Sequence, residues 1–132
     1  MIQVPVSPGE LLDKLTILAI KRRRINDPVK LANVEREFAL LDGVRSAEVP
    51  ESPELTTLYQ QLEDVNQRLW DVEDDLRLLE AEARFDARFI ELARSVYVLN
   101  DERATVKKAI NLLLGSLIVE EKSYADYRAK SA

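Results

Sequence analysis

Asn100, Arg103, Lys107 and Asn111 recur at steps of three and four residues, a spacing that stacks side chains along one side of a helix. Two cations framed by two amides suit the holding of an anion. Arginine offers a planar fork of donors, lysine a compact charge, and asparagine an orienting hydrogen bond. Near the N-terminus Asp13, Lys14 and Lys21 stand at related spacing. One reading therefore has Lys14, Lys21, Arg103, Lys107 and Asn111 converging on an anionic small molecule between the first and last long helices. The plainer reading pairs Arg103 with an acid from a neighbouring helix, such as Glu73, and so fixes helix register. Arg103 needs one or the other, because it falls in an otherwise apolar seam where an unpaired cation is costly.

The residue types that are missing bound the chemistry further. The 132-residue chain has no cysteine and no histidine, which removes thiolate nucleophiles, iron–sulfur clusters, the usual zinc sites and every histidine-dependent triad. No cofactor or metal is expected. Asp71 and Asp74, beside the sole tryptophan, Trp70, could begin a magnesium site. The paired E-x-x-E and E-x-x-D pattern of all-α nucleotide pyrophosphatases is not in register with them, and Trp70 is expected to pack on the first or second helix. A net charge of -5 argues against nucleic acid and anionic membranes as partners. The N-terminus lacks a basic region followed by an apolar stretch. No apolar run reaches the roughly 18 residues of a membrane span. The expectation is a cytoplasmic protein.

Helices must position these residues. Ser7, Pro8, Gly9 and Glu10 read as a capping box with proline at its favoured place, and Val6 with Leu11 as a hydrophobic staple. The apolar residues from Leu11 to Ile20 cover an arc too wide for a helix lying on one surface, so helix 1 should be buried on two sides. It ends in Lys21, Arg22, Arg23 and Arg24, which suit a helix C-terminus. Asp27 caps helix 2, which the spacing of Leu31, Val34, Phe38 and Leu41 carries to about Gly43, with residues 44–51 as a polar linker.

Helix 3 starts at Ser52 and Pro53. Its seam runs Leu55, Leu58, Leu62, Val65, Leu69, Val72, Leu76 and Leu79 in alternating steps of three and four. Helix 4 continues these steps through Phe89, Leu92, Val96, Leu99, Arg103, Val106, Ile110, Leu113 and Leu117. The heptad phase slips by three between Leu79 and Phe89, and Asp86 could cap a new helix, which reads as a reversal near Arg84 and Phe85; the alternative is one continuous helix with a stammer, since no glycine or proline enforces the break. A short last helix should follow Gly115. Residues 110–119 are apolar nearly all round and need cover, from helix 1 or from another subunit. Residues 53–83 hold nine acids and two bases, against two acids and five bases in residues 8–25. The basic end of helix 1 should thus be neutralised within the chain rather than serve nucleic acid.

The stretches PVSPGELLDKLTILAIK, LWDVED, RFIELARSVYVLNDERATVKKAIN and VEEKSY together resemble a bacterial family of short proteins classed as a domain of unknown function. The resemblance spans nearly the whole chain and implies no reaction or site residue. The reading is all-α: one helical domain over residues 1–132, with two long antiparallel coiled-coil helices and two shorter N-terminal ones. The expected function is that of a self-associating interaction or accessory protein, most simply a dimer, with a protein partner a further expectation. The alternative is a binding protein or enzyme for an anionic metabolite.

Overall fold

A computed structural model describes residues 1–128 and holds four helices. They are α1 (Pro8–Arg24), α2 (Pro28–Glu48), α3 (Pro53–Ala81) and α4 (Ala87–Leu113). Each of the first three places proline in its first turn, and each of the four is capped by the side chain expected for it: Ser7, Asp27, Ser52 and Asp86. A cap oxygen takes up a backbone N–H that has no partner inside the helix.

The bundle is built around α1. It packs on α2 on one side and on both α3 and α4 on the other, while α3 and α4 pack along each other. This is the two-sided burial that its wide apolar arc predicts. Leu11, Leu12 and Leu15 of α1 join Leu55, Leu62 and Val65 of α3 and Leu99 and Ile110 of α4 in one buried cluster, with Phe38 and Leu41 of α2 against it.

The hairpin reversal falls where the phase slip puts it. Helix α3 ends with Ala83 N–H bonded to the Glu80 carbonyl and Arg84 N–H to that of Leu79, and Ala83 has φ 54°. That is a Schellman ending with alanine in the left-handed position usually held by glycine, so no breaker residue marks it in the sequence.

Three expectations are corrected. Helix α2 does not stop near Gly43 but runs through the supposed linker to Glu48. Arg45 pairs with Asp42 one turn back, at 2.8 Å, and its guanidinium lies over the Tyr59 ring. These contacts carry the helix past Gly43 until Pro50 forbids continuation. Helix α4 ends at Leu113, so Leu117 is no seam residue. Gly115 (φ 64°) closes a second Schellman motif, with Ser116 N–H bonded to the Asn111 carbonyl at 2.9 Å. Beyond it, residues 116–128 form no helix; the rest of the expected last helix, residues 129–132, lies outside the described residues.

Candidate functional site

Helix α1 brings its N-terminal half against the C-terminal half of α4, and the polar residues of both meet there. Gly9 permits the approach. A Cβ at that position would lie 2.6 Å from the Lys107 carbonyl oxygen and 2.9 Å from Asn111 Oδ1, closer than real contacts allow. With hydrogen in its place, the Gly9 N–H donates to Asn111 Oδ1 at 2.7 Å. Asn111 is thus spent on tying α4 to the first turn of α1, and it is buried.

One turn along, Asp13 is 1% exposed. Arg103 donates to both of its oxygens, through Nε at 2.8 Å and through Nη2 in a still closer contact. From α3, Asn66 Nδ2 donates to Asp13 Oδ1 at 2.9 Å and to Thr16 Oγ1 at 2.8 Å. Three helices are joined through one carboxylate. Burial alone would raise the Asp13 carboxyl, but the hydrogen bonds from Arg103 and Asn66 outweigh it and hold the group below its ordinary value. The same pairing raises the Arg103 guanidinium against the effect of its own burial.

Lys107 sits at the rim of this network. Its Nζ lies 2.6 Å from Glu10 Oε2 and 3.2 Å from Glu120 Oε2. Glu120 comes from the segment after α4, and its other oxygen accepts from the Ser7 hydroxyl at 2.8 Å. Burial would lower the Lys107 ammonium, but its carboxylate neighbours raise it. Burial would raise Glu120, but the bonds from Ser7 and Lys107 lower it.

Of the five residues singled out in the sequence, Arg103, Lys107 and Asn111 come together. Lys14 reaches only the edge of the cluster, half exposed and 3.8 Å from Glu10 Oε1. Lys21 does not join it: seven residues further along α1, it is displaced by roughly 10 Å along the axis. The expected partner Glu73 is also corrected. It pairs with Arg77 on its own helix at 3.9 Å, and Asp13 of α1 takes its role. Asp71 answers Arg24 at 2.8 Å, and among the described residues no group of three acids, histidines or cysteines could hold a metal.

The model of the family of unknown function DUF6165 matches residues 2–131. The chain belongs to that family. No curated protein and no solved structure matches it. For this DUF6165 member the site therefore has to speak through its chemistry, and what it shows is neutralisation: Arg103 and Lys107 meet Glu10, Asp13 and Glu120. The first turn of α1 is satisfied as well, since the N–H groups of Gly9, Glu10 and Leu11 bond to Asn111, the Ser7 hydroxyl and the Ser7 carbonyl. Sequence reasoning placed the cations but missed Glu10 and Glu120 as their counterparts, and Ser7 and Asn66 as further donors to Glu120 and Asp13. Only Asp13 carried a visible signal, its spacing matching that of Arg103.

Proposed function

We propose that this protein is a non-enzymatic interaction or accessory protein that pairs with a second copy of itself through the apolar end where the N-terminal segment meets the chain just after α4. The supporting observation is bare apolar surface. Leu117 is 102% exposed and Leu112 68%, with Ile118 and Val119 also open, although Ile110 and Asn111 beside them are buried under α1. The Ser7–Glu120 hydrogen bond sets the N-terminal segment against this stretch, and that segment adds Met1, Ile2 and Val4, each exposed by two thirds or more. Several large apolar side chains left bare at one end of the bundle support an interaction surface there. At its border Lys108 and Glu121, both exposed, lie 3.6 Å apart. A border carrying both signs can complement itself across a two-fold axis. An anion-binding role has less support, because the clustered cations already face carboxylates of the same chain.

Light scattering at high micromolar concentration tests the proposal. A particle of twice the chain mass is expected, with Leu117→Glu returning it to the monomer at unchanged helical content. A wild-type chain that stays monomeric overturns it.

A further inference from the structure

Residues 116–128 leave α4 at Gly115 and run back along the bundle without secondary structure. Their contacts step down α4 in order: Glu120 meets Lys107, Glu121 meets Lys108, Lys122 meets Asp101, and the Tyr127 ring packs on that of Tyr97 with centroids 4.6 Å apart. At the far end Tyr127 and Arg128 wall one end of a groove between α3 and α4, a cavity of about 480 Å³ floored by Val65, Val98 and Val106.

The attachments are unequal. Lys108 with Glu121 and Lys122 with Asp101 are exposed pairs at 3.6 and 2.9 Å, which water can replace on both sides. The ring pair is open too, both tyrosines being exposed. Glu120 differs in what it holds. The Ser7 hydroxyl, which donates to it at 2.8 Å, belongs to a residue 1% exposed, and the Lys107 ammonium 3.2 Å away has a side chain only 15% exposed. If Glu120 left, the Ser7 donor would lose its acceptor where water reaches poorly, and Lys107 would keep Glu10 alone. The hold on the whole segment is therefore concentrated at one residue.

We propose that residues 116–128 are a hinged strap with Glu120 as its latch. When Glu120 lets go of Ser7 and Lys107, the run as far as Tyr127 lifts from α4 and the groove loses its end wall. Gly115 suits the pivot, since its φ of 64° already lies in the left-handed region and nothing packs where its side chain would be. The latch engages the cap of α1, whereas the wall stands between α3 and α4, so a change at the first turn of α1 is felt at the groove. A single chain suffices, whether or not two chains associate.

Nuclear magnetic resonance reads the far end directly, through cross-relaxation between the Tyr97 and Tyr127 rings. In Glu120→Ala this contact should weaken several-fold, seven residues from the substitution, at unchanged helical content. Trypsin should cut after Lys122 several-fold faster. Glu120→Gln, which keeps an acceptor for Ser7 and Lys107, should fall between Glu120→Ala and wild type. Lys107→Met, on the other side of the latch, should weaken the ring contact as well, and it keeps the test open if Glu120→Ala loses helix. Tyr127→Ala removes one exposed contact and should speed the cut after Lys122 far less than Glu120→Ala does. A ring contact undiminished in Glu120→Ala and in Lys107→Met overturns the strap, because the two ends would then be held independently. A wild-type chain without that contact overturns it too.

Discussion

Both ends of α1 pair arginine with carboxylate, under different solvent conditions. At the N-terminal half, Arg103 reaches a buried Asp13 whose side chain is 2% exposed, and Asn66 and Thr16 complete the network. At the C-terminal end, Arg22, Arg23 and Arg24 meet Glu35, Glu63 and Asp71 at 3.0, 3.1 and 2.8 Å, all with side chains more than a third exposed. The distances are similar, yet the consequences are not. Water can replace either partner at the exposed end, whereas a carboxylate left alone in the interior has nothing to replace the lost arginine. The buried end fixes how three helices meet; the exposed end only neutralises charge.

The largest effect is expected from Arg103→Ala, which leaves Asp13 uncompensated and should cost about 3 kcal/mol in urea unfolding. Gly9→Ala comes next. Its methyl would press on the backbone of α4, and about 2 kcal/mol should be lost as the helices are forced apart. A cost below about 0.5 kcal/mol would mean that the close approach is not tight.

Acid sharpens the same contrast. A carboxyl whose pKa is lowered by folding contributes stability that is complete above its ordinary value, 3.8 for Asp13, and is lost as pH falls through the folded value. Wild type should lose stability steeply below pH 3.8, Asp13→Asn much less steeply, and Arg24→Ala as steeply as wild type. Parallel acid curves for wild type and Asp13→Asn would remove Asp13 from the account. Lys107, raised by its acids, has the opposite sign: its contribution is complete below its ordinary value and is lost in strong alkali. Lys107→Met should cost about 1 kcal/mol, since Glu10 and Glu120 can still turn to water. Arg23→Ala and Arg24→Ala should each cost less than about 0.5 kcal/mol.

Much of the fold was legible because its signals are local. Ser7, Asp27, Ser52 and Asp86 announce helix starts, and the step from Leu79 to Phe89 announces the reversal even though Ala83 rather than glycine makes the turn. The end of α2 was misread because a glycine inside a helix looks like a stop, and the packing of Arg45 on Tyr59 of α3, which shows otherwise, is not visible in the sequence. At the candidate site, Arg103, Lys107 and Asn111 stood out by periodicity. Of their acids only Asp13 was singled out, and not as the partner of Arg103, because Asp13 and Glu10 lie 90 and 97 residues away from Arg103 and Lys107 and no spacing rule links residues across a bundle. The cations without their carboxylates resemble a ligand site; with them they make a structural network.

The most direct measurement compares the unfolding free energy of Arg103→Leu with that of Arg103→Leu combined with Asp13→Leu. If Arg103 is half of a structural pair, the single replacement strands Asp13 and should cost about 3 kcal/mol, and the double replacement should recover most of that loss. An Arg103→Leu protein as stable as wild type, or more stable, would contradict the account and return Arg103 to the role of an anion-binding cation.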